Sequence, residues 1–201
     1  MAERTPLYDA AQEAGASWVE EAGWLLPAHF GNAAEEYRQA REQAVVFDRS
    51  HHGKVEVAGK DAAQFLHNLC TNDVNHLAIG AGREAFLTTG QARIVAHVLL
   101  GHRRWPDGRE VFWVDVGPGM GEKIFQHLDR HLISEQVELA DRTRECAQLH
   151  PAGPAARAIL ERVLGGPMPD LAPLHHLEQS VGGAACLIRR HEPLGLPGFD
   201  L

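Results

Sequence analysis

The side chains with the widest chemical reach are histidines, 13 of them in 201 residues. His127 and His131 stand four apart, a spacing that places two imidazoles on one helix face where a transition metal can bind them. No glutamate of the HExxH type lies between them. His51-His52 and His175-His176 are adjacent, so on a strand or a helix the members of each pair point apart. Since no third ligand completes any of these pairs, no metal site is expected. Cys70, Cys146 and Cys186 form no CxxC pair and are odd in number, the usage of reduced thiols in a cytosolic core. Two short polar phrases remain, Ser50-His51-His52-Gly53-Lys54 and Thr71-Asn72-Asp73. Their glycine and small polar groups can shape the floor of a binding pocket; equally, they can cap a strand and a helix through local hydrogen bonds.

The elements that would position these phrases can be read from hydrophobic period. Val55 and Val57 alternate with Lys54 and Glu56, the pattern of a half-buried strand. Ala62, Phe65, Leu66, Leu69 and Cys70 then make one helical stripe, with Gly59 and Asp61 at its first turn, and the stripe stops at Thr71-Asn72-Asp73. A flexible corner at 79–82 leads to a strand around Phe86 and Leu87, a turn at Thr89-Gly90-Gln91, and a long strand over 93–100 that is apolar on both faces and hence central. Arg103 to Gly108 carries turn signals, and Val111 to Val116 is a further strand. Pro118 opens a helix with Met120, Ile124, Leu128 and Leu132 on one face, and Val137 to Ala140 closes the series as a short strand. Asn32 and Glu35 begin an earlier helix expected to run to about Val45. The residues before it are too broken by glycine for one helix and too aromatic for a disordered tail, and they are expected to lie against the main domain. From Cys146 the pattern restarts: an apolar segment, a helix bearing Ile159, Leu160, Val163 and Leu164, an ambiguous stretch at 170–180, and a strand over Ala184 to Ile188.

Hydrophobic content of 44% and charged content of 23% are those of an ordinary globular chain, long enough for one large or two small domains. A net charge of −8 argues against a general nucleic-acid or anionic-membrane surface. No run approaches the roughly 18 apolar residues of a membrane span, and the first 15 residues lack the apolar core of a secretory signal. A cytoplasmic location is expected.

FDRSHHGKVEVAGKDAAQFLHNLCTNDV resembles the FDVSHMGK...G.DA..FL..L.TNDV segment of the folate-binding T-protein family, which includes the glycine-cleavage aminomethyltransferases and the YgfZ-type folate-binding proteins. Upstream, PLYDAAQEAGASWVEEAGWLLPAHFG is similar to the family's LG......GGW.MP..YG opening, and downstream QARIVAHVLL is similar to GRILADFLV of the YgfZ-like branch. The resemblance implies an α+β fold: a ferredoxin-like, T-protein-type folate-binding lobe with an antiparallel sheet and helices on one face, spanning 1–144 with its N-terminal extension. It also implies an incomplete second α/β lobe over 145–201, whose unpaired sheet edge could drive self-association or hold a protein partner.

For chemistry, the resemblance implies a pocket for tetrahydrofolate or a derivative, with Ser50, His51, Gly53, Asn72 and Asp73 retained around it, and Lys54 and Thr71 beside them. Asp115 lies near a family asparagine that faces the pterin; as a strand-end carboxylate in solvent it needs no ligand. The family's GGVIDDLIV aligns with residues 92–100, so its two aspartates fall on Ala96 and His97. The tyrosine that precedes the hairpin becomes Glu84, and the glutamate of a GYTGE-like phrase becomes Leu196. Loss of the aspartates removes an anionic partner for a developing iminium or ammonium group, leaving His97 as the candidate catalytic residue. The expectation is a YgfZ-like folate-binding protein, linked to iron-sulphur enzyme maintenance or one-carbon metabolism, rather than a standard transferase. A divergent aminomethyltransferase using His97 or Asp115 and a ligand-free interaction module are the alternatives.

Overall fold

The structure, a computed structural model, describes residues 2–201. It forms two compact units, His52–Cys146 and a discontinuous one that joins the segment up to His51 with Ala147–Leu201. The discontinuous unit starts with β1 (Glu3–Arg4), α1 (Tyr8–Glu13), β2 (Ser17–Glu21) and β3 (Trp24–His29). These strands form a small sheet in the order β1-β3-β2, β1 parallel to β3 and β2 antiparallel to it. Glycines that read as breaks in the sequence make its turns: Gly15 and Gly23 adopt φ of +82° and +83°, a region open to glycine at little cost.

Next comes α2 (Ala33–Glu42), capped by Asn32, whose Oδ1 accepts from the Ala34 and Glu35 amides. It ends three residues short of the expected Val45. Gln43 leaves helical geometry, and Val45–Asp48 becomes strand β4. Tertiary pairing overrides local propensity here: β4 finds an antiparallel partner in β10 (Leu149–Ala152), about a hundred residues on.

The second unit contains β5 (His52–Ala58), α3 (Ala62–Leu69), β6 (Gly82–Thr88), β7 (Ile94–Arg104), β8 (Glu110–Pro118), α4 (Gly121–Asp129) and β9 (Glu138–Asp141). Its five strands are antiparallel throughout, in the order β6-β7-β8-β5-β9. Val55, Val57, Val98, Leu100, Phe112, Val114 and Val116 share one side of this sheet, and Phe65 and Leu66 of α3 and Ile124 and Leu128 of α4 join them in one core. Each such side chain buried is worth roughly 1.5–3 kcal/mol against exposure, so this face fixes the strand register.

Two expectations change here. Lys54 and Glu56 were expected on a solvated face, yet both are buried, because β5 lies between β8 and β9 and its second face is covered as well. Pro118 does not open a helix: it is the last residue of β8, opposite His52. Gly119 at φ +68° and Met120 turn the chain before α4 begins at Gly121.

After β10 the discontinuous unit continues with α5 (Ala156–Leu164), β11 (His176–Val181), β12 (Ala184–Arg190) and β13 (Phe199–Asp200). The last three form an antiparallel sheet, and Ile188 and Phe199 pack with Ala156, Leu160 and Met168. Val163, expected on the apolar face of α5, is instead exposed. The architecture is α+β with largely antiparallel sheets and few helices, and no described helix is long and apolar enough to cross a membrane.

Candidate functional site

The face of the five-stranded sheet away from α3 and α4 is polar, and strand register arranges it in rows. Phe86 pairs with His97. One pleat further, Glu84 pairs with Leu99, Leu99 with Asp115, and Asp115 with Lys54. A pleat beyond that, Gly101, Trp113 and Glu56 form the next row. Asp115, Lys54 and Glu56 are buried, whereas His97 and Glu84 remain 51% and 61% exposed. The sequence-derived candidates Glu84, His97 and Asp115 therefore share one surface of one unit.

At its open end, His97 Nε2 stands 3.7 Å from Glu84 Oε2, and the His97 ring lies 5.4 Å from that of Phe86. Ala96, the neighbouring aligned position, turns to the opposite side of β7 and joins the helix-packed core. The polar corner after α3 is what holds β6 in place. The Thr71 amide donates to the Phe86 carbonyl at 3.0 Å, and Thr71 Oγ1 accepts from the Phe86 amide at 3.0 Å. Asn72 Nδ2 donates to the Glu84 carbonyl at 2.8 Å, while its Oδ1 accepts from the Asp73 amide and from Arg83. Thr71 and Asn72 thus position Glu84 and Phe86 through the backbone. Asp73 faces His76 at 2.8 Å and His67 at 3.4 Å, and the His76 hydrogen bond holds its carboxyl below the usual carboxylate range.

Residues of the SHHGK phrase divide between the two units. Ser50 Oγ accepts from the Gln148 amide at 3.1 Å, and the Ser50 amide donates to Asp48. His51 is buried in the same unit. In the other unit, Gly53 is where β5 meets the start of α4: a Cβ there would stand 2.6 Å from the backbone of Gly121. Lys54 donates Nζ to the His52 carbonyl at 2.7 Å, and its amide donates to Thr143 Oγ1.

Two charged clusters escaped the sequence reading. Glu56 accepts from Trp105 Nε1 at 2.9 Å, from Arg109 at 3.2 Å and from Arg142 at 3.3 Å. In the discontinuous unit, Asp200 accepts from His150 Nδ1 at 2.8 Å, His191 Nδ1 at 2.7 Å and Arg189 Nε at 3.1 Å, with Arg49 at 3.5 Å. Neither had a local signal: Glu56 holds a polar position of a half-buried strand pattern, and Arg189 follows directly on the strand expected over Ala184 to Ile188.

The ligand-capable atoms of His150, His191 and Asp200 lie within 4.8 Å of one another. A metal there would stand against the guanidinium groups of Arg189 and Arg49, which already hold the same carboxylate, so the cluster is hydrogen-bonded rather than ligating. His127 and His131 have rings 4.7 Å apart, but His131 Nδ1 is turned to the His127 carbonyl at 2.7 Å. Burial, together with the positive groups His131, Arg130 and Lys123, lowers the His127 pKa.

The family model described as the GCVT N-terminal domain matches residues 7–201. The chain belongs to this family. As a GCVT N-terminal domain it is 33% identical over 198 residues to an aminomethyltransferase of Rubrobacter xylanophilus, covering 98% of this chain and 52% of that one. It is 32% identical over 202 residues to the aminomethyltransferase of Geobacillus kaustophilus, covering 100% of this chain and 54% of that protein. The crystal structure of glycine cleavage system aminomethyltransferase T from Bartonella henselae superposes with a TM-score of 0.86 at 25% identity, covering 100% of this chain and 53% of that one. The GCVT domain described here thus spans about half the length of the relatives it matches.

Proposed function

We propose that the chain is the reduced-folate-binding, T-protein-type part of an aminomethyltransferase, with the polar face of β6, β7 and β8 at its site. One observation carries the reading: two of the substituted positions, Glu84 and His97, meet. The carboxylate that the family pattern places on β7 is supplied here from β6, 3.7 Å from the imidazole. A fixed carboxylate stabilises a developing iminium or ammonium charge, and an imidazole beside it can give or take a proton near neutral pH. A reduced folate supplies the amine nitrogen that accepts the one-carbon unit. The chain supplies a flat aromatic edge in Phe86, an anion in Glu84, a proton carrier in His97 and a buried carboxylate in Asp115 able to accept from a pteridine N–H. Thr71, Asn72 and Asp73 are assigned a positioning role, and Ser50, His51 and Gly53 a supporting one.

The relatives reported above are named aminomethyltransferases, which favours this reading over a YgfZ-like binder. The YgfZ-like alternative draws support from β7 itself, which has no carboxylate at Ala96 or His97. Association through a protein partner draws its support from an apolar groove of about 920 Å³ in the discontinuous unit, where Val19, Phe30, Tyr37, Val46, Phe47 and Leu194 are exposed. A cytoplasmic setting agrees with three unpaired cysteines.

Calorimetric titration with 5-formyltetrahydrofolate tests the reading. Binding near micromolar, about −8 kcal/mol, is expected. Glu84→Gln is expected to lower folate-dependent methylene transfer more than it lowers affinity. A folded sample that takes up neither 5-formyltetrahydrofolate nor tetrahydrofolate would refute it.

A further inference from the structure

β4 has a neighbour on one edge only, since it pairs with β10 and with no other described strand. Which of its backbone groups face the open edge follows from the ladder. The Arg49 amide donates to the Gln148 carbonyl across that pair at 2.8 Å, and in an antiparallel pair such bonds recur at every second residue. Leu149, opposite Asp48, exchanges both of its bonds with Leu201 on the other side of β10 instead. Val45 and Phe47 therefore aim their amides and carbonyls at β10, while Val46 and Asp48 aim theirs outward. Pro151, opposite Val46, fits the same register, because an amide at its position would not face β4.

The open edge borders an apolar groove of about 920 Å³, lined by all four residues of β4, by Leu26 of β3 and by Tyr37 of α2 among others. Successive side chains of a strand point to opposite faces, so a groove bordered by Val46 and Phe47 alike runs along the strand edge rather than against one face. Both side chains are exposed, and contiguous apolar surface of this kind marks an interaction site.

The charge of the groove is uneven. Glu21, Glu36 and Asp48 line it, against Arg41 as the one base besides His29. Glu36 accepts from the Phe30 amide and Asp48 from the Ser50 amide, and none of the three acids meets a basic side chain among the described residues. The whole chain carries a charge of −8. A second copy would bring the same acids to the same edge, so like charges oppose self-pairing and favour a basic strand.

We propose that the β4 edge binds an extended segment of a partner polypeptide, apolar at alternate residues with Lys or Arg between them. The segment adds a strand beside β4. Its backbone bonds to the outward amides and carbonyls of Val46 and Asp48, its apolar side chains enter the groove, and the acids of the groove select its basic residues. This assignment stands independently of the folate reading.

Fluorescence anisotropy of labelled octapeptides against the 201-residue chain tests it. The probes have the alternating form X-Lys-X-Arg-X-Lys-X-Thr, with X one of Val, Ile, Leu or Phe, and each has a twin with Glu in place of Lys and Arg. At least one basic probe binds with Kd below about 100 μM, its acidic twin binds about tenfold more weakly, and added salt weakens the complex. Val46→Pro removes an outward amide and keeps the bonds of Val45 and Phe47 to β10; it weakens the basic probe about tenfold, the effect of losing one buried hydrogen bond. Should that variant not fold by circular dichroism, Val46→Lys, a change at an exposed side chain, weakens the same probe by repelling a basic strand. A folded chain that binds no basic probe, binds both twins alike, or binds equally well after substitution overturns the proposal. So does a chain that sediments as a dimer and becomes a monomer in Val46→Pro, because a second copy then holds the edge.

Discussion

Replacing Asp200 with asparagine should be among the most damaging single changes in the discontinuous unit, although the two side chains have nearly the same shape. The Asp200 side chain is 3% exposed and that of Arg189, which meets it through two N–H groups, is 5% exposed. An amide has one oxygen to accept with, and its NH₂ would face donors already aimed at Asp200 from His150, His191 or Arg189. Removing one partner of a buried ion pair costs about 3–5 kcal/mol, because the remaining charge is left in the interior. Against a whole-domain stability of roughly 5–15 kcal/mol this is a large fraction. With a urea slope of about 2 kcal/mol/M, a loss of about 4 kcal/mol moves the midpoint down by about 2 M, readily seen by far-UV circular dichroism.

The pH dependence gives a second check. Burial alone would raise the Asp200 pKa, but hydrogen bonds from His150 and His191 and the charge of Arg189 outweigh it and hold the carboxyl far below the usual carboxylate range. A depressed folded pKa contributes stability that is complete above the unfolded value of about 3.9 and is lost only as pH falls through the folded value. The difference between wild type and Asp200→Asn should therefore be flat from pH 8 to pH 5 as far as this carboxyl is concerned. A midpoint within about 0.3 M of wild type, less than 1 kcal/mol on the same slope, would refute the reasoning.

Two further outcomes follow from packing. Gly53→Ala places a Cβ 2.6 Å from the Gly121 backbone, and neither β5 nor the start of α4 can move without disturbing the core; the variant should lose about 1–3 kcal/mol, read as a fall in Tm. Leu66→Ala empties a fully buried position between α3 and the sheet and should cost about 2–5 kcal/mol in urea denaturation.

How much of this was legible in the sequence depends on how local each cause is. The strand at Val55 and Val57, the helix after it and the polar corner at Thr71-Asn72-Asp73 were plain, since period and turn chemistry act within a few residues. The burial of Lys54 and Glu56 was not, because it depends on which strands flank β5 and on what covers its second face. β4 was missed, with only its first residue, Val45, taken as the end of the preceding helix, for the same reason: its partner β10 lies far along the chain. β11 was missed despite a local signal. Val181-Gly182-Gly183-Ala184 is a two-residue hairpin loop, and both glycines adopt positive φ, 58° and 86°. Of the candidate site, residue types and alignment brought out Glu84, His97 and Asp115, but read singly each substitution looked like a loss.

Their placement changes the inference. Substitutions that merely accumulate in an abandoned pocket have no reason to meet, and a carboxylate and an imidazole thirteen positions apart meet here at 3.7 Å across two strands. The strand that carries Glu84 is held by two side chains of the retained corner, Thr71 on the Phe86 backbone and Asn72 on the Glu84 carbonyl. Both groups also stay at the open end of a sheet face whose deeper charges are buried. Charges inside a sheet are weak evidence for stability, since apolar residues of equal volume do as well or better. A β-sheet with one side given to its core and the other to Lys54, Glu56 and Asp115 is therefore better explained by what that second side must hold. On that ground we propose that Glu84 and His97 stand in for the missing aspartate rather than mark its absence.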